Sequence, residues 1–126
     1  MTDPVADLEA RIIDQAGDAV IAIDRSGDIT HWNQHASRLF GWTIDEVRGS
    51  SIELMIPEKL RGPHWHGFDA AMAAGHLSSD GAARRTKALT KGGDPVYVEM
   101  TFAVLTDEAG QAVGAIAVAR QAPPRS

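Results

Sequence analysis

Leu60, His64, Phe68 and Ala71 recur at the i, i+4, i+8 and i+11 spacing of one helical stripe, which sets an imidazole among apolar neighbours. A histidine in such a place must either find a buried hydrogen-bond partner or ligate something held in the core. The stripe belongs to a run from Pro57 to Ala74 that reads as a single amphipathic helix. His66 lies about 200° round that helix from His64, at roughly 100° per residue, so the two cannot chelate one metal. It reads as a surface residue. His31 and His35 straddle a strand–helix junction and lack the further ligands of a zinc site. Ser50 and Ser51 have no paired base, Gly92-Gly93 is a turn rather than a phosphate loop, and Asp14, Asp18 and Asp24 are scattered. These residues do not make an enzyme.

The totals narrow the field further. A chain of 126 residues is one domain, with room for a core and one small-molecule cavity. A net charge of -5 argues against nucleic acid or an anionic membrane as partner, because both need basic patches. The absence of cysteine excludes disulfides, thiolate metal sites, a cysteine nucleophile and cysteinyl-flavin photochemistry. No apolar run approaches the roughly 20 residues of a membrane span, and the start lacks a basic-then-apolar signal segment. The expected compartment is the cytoplasm.

Punctuation along the chain supplies the elements. Thr2-Asp3-Pro4 is a cap and first-turn proline, and Val5, Leu8, Ile12 and Ile13 form the apolar stripe of a helix ending near Ala16-Gly17. Ala19–Asp24 and Ile29–Trp32 read as a hairpin around Arg25-Ser26-Gly27-Asp28. Asn33 opens a short helix through Phe40, and Thr43-Ile44-Asp45-Glu46 is a capping box for one more turn. The long helix follows, then a loop from Gly75 to Gly81. Three strands close the chain: Arg84 to Thr90, Pro95 to Leu105 and Ala112 to Ala119. In the middle one Val96, Val98, Met100, Phe102 and Val104 share the face expected under the helices. Tyr97, Thr101 and Leu105 share the other, expected to pack under the N-terminal helix or a second copy. Trp65 is expected to cover a pocket mouth or an adjoining subunit. The alanines at 115, 117 and 119 leave room on their side of the last strand. The division is an N-terminal helix at 1–17, a domain at 18–121 and a tail at 122–126. Its class is α+β, an antiparallel sheet with helices over one face.

Asp18-Ala19-Val20-Ile21-Ala22-Ile23-Asp24, Ser26-Gly27, Trp32-Asn33, Ala36, Leu39-Phe40-Gly41-Trp42, Glu46 and Gly49 resemble the opening of a PAS sensor domain. Lys91-Gly92-Gly93, the strand through Glu99 to Phe102, and Gly110 with Val113-Gly114 resemble its closing hairpins. The resemblance runs from about residue 10 to about residue 120. It implies the PAS fold, a five-stranded antiparallel sheet cupping a pocket under the long helix, and a sensory or dimerisation role. Pro57-Glu58-Lys59-Leu60-Arg61-Gly62-Pro63 before His64 is most similar to the haem-binding PAS domains of oxygen-sensing histidine kinases. That likeness implies haem b with His64 as axial iron ligand and Arg84 against a propionate or the bound gas. It also implies Met100 and Phe102 on the distal wall, and O2, CO or NO as the ligand sensed. Leu60 and Phe68 flank the imidazole. Basic side chains that support propionates in those relatives are replaced by Ala70 and Ser78, which leaves Arg84, Arg85 or His76 for the task. Met100 is also a candidate sixth iron ligand. The rival readings are a cofactor-free module that dimerises through the N-terminal helix and outer sheet face, and a sensor of non-covalent flavin or another small ligand.

Overall fold

The computed structural model describes residues 3–77 and 82–123, so Ser78 lies outside the described residues. The first helix, α1 (Pro4–Gln15), starts where the Asp3 carboxylate accepts the Val5 N–H and Pro4 fills a first-turn position that needs no donor. The hairpin β1 (Ala19–Asp24) and β2 (Ile29–Trp32) turns on Asp24, whose carboxylate accepts the N–H groups of Ser26 at 2.9 Å and Asp28 at 3.1 Å. Gly27 completes that turn at φ 83°, a conformation a side chain resists.

Three short elements follow. Asn33 caps α2 (Gln34–Phe40), which Gly41 ends in the left-handed region. The capping box between Thr43 and Glu46 is present and starts α3 (Ile44–Val47), and Ser51 caps a 3₁₀ turn at Ile52–Met55. The long helix α4 (Glu58–Ala74) has no side-chain cap at Pro57. Arg61 supplies the fastening instead, donating to the Ile56 carbonyl at 3.0 Å and the Glu53 carbonyl at 3.3 Å. The arginine of the Pro-Glu-x-x-Arg run therefore sets the angle at which α4 leaves the 3₁₀ turn, and with it the aim of His64.

Strands β3 (Arg84–Leu89), β4 (Pro95–Thr106) and β5 (Ala112–Gln121) complete one antiparallel sheet in the order β2-β1-β5-β4-β3. β5 runs two residues past the expected Ala119, because Arg120 still pairs with Glu99 and Gln121 with Val98. Backbone pairing needs no apolar side chain, so the sequence pattern faded before the ladder did. Gly114 is obligatory here, since a Cβ would collide with the Ile23 carbonyl oxygen across β1 and β5. Phe40, Ile29, Val47 and Val98 are the largest fully buried side chains, and they anchor the layer between helices and sheet. Burying each contributes about 1.5–3 kcal/mol before entropy is set against it.

Two expectations change. The N-terminal helix does not cover the outer sheet face: α1 lies beside α2, buries none of its residues, and leaves Val5, Leu8, Ile12 and Ile13 exposed. The cause is its tether. The Asn33 amide donates to the Ile13 carbonyl and Gln34 Nε2 donates to the Asp14 carboxylate, which pins the end of α1 to the start of α2. The tail is also not free from its first residue. Ala122 is buried, its N–H donates to the Tyr97 carbonyl at 2.9 Å, and the Pro123 carbonyl accepts from Arg85.

Candidate functional site

Beneath α4 lies a cavity of about 440 Å³, within the range typical of small-molecule and cofactor sites. Its floor is the inner face of the sheet: Ile21 and Ile23 from β1, Met100, Phe102 and Val104 from β4, Ala115 and Ala117 from β5. The space exists because β5 presents methyl groups where larger side chains would fill it. Its roof is α4, which contributes Leu60, His64, Phe68 and Ala71. Gly67 stands on the same stripe, and a Cβ there would meet nothing within 4 Å. The 3₁₀ turn closes one end with Ile52 and Met55, and the edge strand β3 forms the rim with Arg84 and Ala88.

The cavity thus gathers His64, Arg84, Met100, Phe102, Leu60 and Phe68 around one space. Met100 and Phe68 are buried, His64 and Phe102 are half-buried, and Leu60 and Arg84 stand at the mouth. Arg84 pairs with Met100 across β3 and β4, so both project to the cavity side. Arg85 also borders the cavity, but it pairs with Glu99 on the opposite face of the strand and its guanidinium lies 4.9 Å from the centre of the Tyr97 ring. His66 is exposed, as are Ala70 and His76, and none of the three lines the cavity. His31 and His35 sit on the β2–α2 side, and no cluster of three metal-ligating side chains occurs among the described residues.

The His64 ring is held by aromatic neighbours. It stacks nearly parallel on Phe68 at 6.2 Å and meets the edge of Trp65 at 4.6 Å. Its Nδ1 is buried and has no hydrogen-bond partner among the described residues. Burial pushes its pKa below the ordinary histidine value, against the opposing pull of the Glu53 and Asp69 carboxylates. Burial thus favours the neutral imidazole, which has a lone pair to offer. The walls around it are mostly hydrocarbon and thioether, with the polar groups of Arg84, Arg85, Thr86 and Lys87 confined to the β3 side. That donor set suits a flat apolar group needing one axial nitrogen and one cation at the rim. Among the described residues no asparagine or glutamine lines the cavity to hydrogen-bond a polar ring edge.

Two residues play parts the sequence did not announce. Trp65 covers no pocket mouth: its indole lies against Gly27 at the β1–β2 turn, where any Cβ would strike it. The reason is rotational, since a residue adjacent to His64 is turned about 100° away from the cavity. Asn33 is more than a cap. Its Oδ1 accepts the Val20 and Ala36 N–H groups at 2.9 and 3.0 Å, and its Nδ2 donates to the Ile13 and Asp18 carbonyls, both at 2.9 Å. Only its side-chain type signalled this, because three of its four partners are distant in sequence.

Comparison with solved structures finds the same architecture elsewhere. A PAS domain from Colwellia psychrerythraea is 21% identical, with a TM-score of 0.77 over 94% of this chain and 97% of that one. The PAS domain of an HTR-like protein from Haloarcula marismortui is 20% identical, with a TM-score of 0.66 over 94% and 92%. A light-oxygen-voltage domain studied with a flavin analogue is 16% identical, with a TM-score of 0.69 over 90% and 83%. Identities this low speak to fold alone. The family model described as PAS fold matches residues 9–122, which takes in all five strands and every helix except the first part of α1. The chain belongs to the PAS-fold family.

Proposed function

We propose that this domain is a non-catalytic cytoplasmic sensor that holds haem b beneath α4, with His64 as the axial ligand. The observation that carries the reading is the imidazole itself: its neutral form favoured by burial, its Nδ1 without a hydrogen-bond partner among the described residues, beside a cavity walled mainly by Ile, Met and Phe with a polar β3 edge. A buried polar ring without a partner costs about 1–3 kcal/mol, which a group engaging that ring would offset. Bound haem supplies an iron centre whose state responds to diatomic gases such as O2, CO or NO.

The chain's own residues divide the remaining work. Leu60, Phe68 and Phe102 exclude water from both faces of a flat ligand. Arg84, at the open edge, meets a carboxylate without having to enter the apolar interior. Met100 places a soft sulfur on the sheet side of the cavity, where it competes with an incoming ligand. Phe68 and Trp65 fix the plane of the imidazole so that its lone pair does not swing away. The exposed stripe of α1 and the outer face of the sheet carry the contacts of a homodimer.

A spectrum of the purified protein after incubation with hemin tests the assignment. The expected result is a strong Soret band in the wild type that is abolished in His64→Ala. A colourless wild type after hemin treatment removes haem from consideration. The structural likeness to a light-oxygen-voltage domain favours a second reading, non-covalent flavin in the same cavity. A yellow protein absorbing near roughly 450 nm would establish that instead.

A further inference from the structure

The edge strand β3 carries two consecutive arginines, and they serve opposite sides of the sheet. Arg84 lines the cavity and pairs with Met100. Arg85 turns outward, stacks on Tyr97 at 4.9 Å and donates from Nη1 to the Pro123 carbonyl at 2.9 Å. Tyr97 contributes a second tie, because its carbonyl accepts the Ala122 N–H. Arg85, Tyr97, Ala122 and Pro123 together therefore fasten the chain where it leaves the last strand.

We propose that the Arg84-Arg85 pair is a lever: an anionic group drawing on Arg84 from the cavity rolls β3 and releases the C-terminal exit that Arg85 clamps. Three features support this. Adjacent strand residues point to opposite faces, so a roll that carries one side chain inward carries the other away from its partners. Among the described residues β3 is an edge strand paired with β4 alone, so the roll strains one ladder instead of two. Finally, Arg85 Nε is buried with no hydrogen-bond partner among the described residues. The clamped state therefore leaves a charged donor unsatisfied, and release lets it reach water. A clamp of that kind lies close in energy to its open form, which is what a switch requires.

The coupling rests on an anionic occupant of the cavity, as in the reading above, but not on that occupant being haem. Amide hydrogen exchange at Ala122 reads the clamp directly. Arg85→Met is expected to speed exchange at Ala122 by about five- to tenfold without ligand, the equivalent of one lost hydrogen bond. Hemin and decanoate, each at saturation, are expected to produce the same acceleration in the wild type and none in Arg84→Ala. Slow exchange at Ala122 in Arg85→Met overturns the lever. So does a wild type in which neither hemin nor decanoate moves Ala122. If decanoate opens the exit while hemin gives no Soret band, the lever stands and haem falls.

Discussion

Burial favours the neutral form of His64, and acid should expose the cost. Its pKa in the folded protein is depressed below 6.5, chiefly by burial, so below that value the unfolded chain binds more protons than the folded one. Stability is then fully present above pH 6.5 and declines as pH falls through the depressed value. A His64→Phe variant keeps the stack on Phe68 and lacks the titration. Urea melts at pH 7.5 and pH 5 should show a larger acid loss in the wild type than in the variant. Equal losses would put the acid sensitivity elsewhere. Asn33 makes a second prediction at this scale. Asn33→Ala removes a helix cap and strands two carbonyls and the Val20 N–H, so it should cost about 2–4 kcal/mol by denaturant unfolding. The two residues differ in how far the sequence revealed them. His64 could be aimed because its stripe-mates are local, and helical spacing fixes which side it takes. The Asn33 network joins residues up to 20 apart, and Trp65 finds Gly27 across a turn of the sheet. No periodicity encodes such meetings.

At the scale of elements, α4 is built from residues that weaken it. Gly62, Pro63 and Gly67 all lie inside its span, and each makes the helix less favourable than alanine would. Gly67 shows what is gained, because it faces the cavity and leaves space where a side chain would stand. Gly67→Leu should therefore stabilise the empty protein by roughly 1 kcal/mol through helix propensity and filled volume. The same change should weaken hemin uptake at least tenfold, read as the Soret titration midpoint. Unchanged uptake would mean the ligand sits away from Gly67. Caps, turns and the alternation of β4 made most element positions legible, since each is a local choice of backbone or face. The end of β5 was not, because Arg120 and Gln121 are held by cross-strand pairing their own types do not advertise. The run before His64 was legible as a resemblance. That Arg61 braces the preceding turn became visible only with the carbonyls of Glu53 and Ile56 in place.

For the whole molecule, the conspicuous surface is α1. Val5, Leu8 and Ile12 are each at least 59% exposed on a helix whose far end is tethered by Asn33, so the stripe is held out from the domain rather than folded onto it. No helix among the described residues is long and apolar enough to cross a membrane. Pairing with a second copy would cover the stripe and part of the half-buried outer sheet face. Leu8→Glu is expected to convert a dimer to a monomer in light scattering while leaving the thermal transition of the domain nearly unmoved. A wild type that stays monomeric at high concentration would contradict it. The sequence marked this stripe as one to be covered, and whether its own sheet or another chain would do so was beyond spacing to decide, because docking depends on the tether. The packing of Trp65 reaches further than its place in the fold. Its indole touches both the hairpin turn and the imidazole, so this protein carries its own optical gauge. With Trp32 and Trp42 replaced by phenylalanine, the remaining emission would dim or brighten as the chamber beside it fills, and occupancy could be followed by light alone in a tube without label.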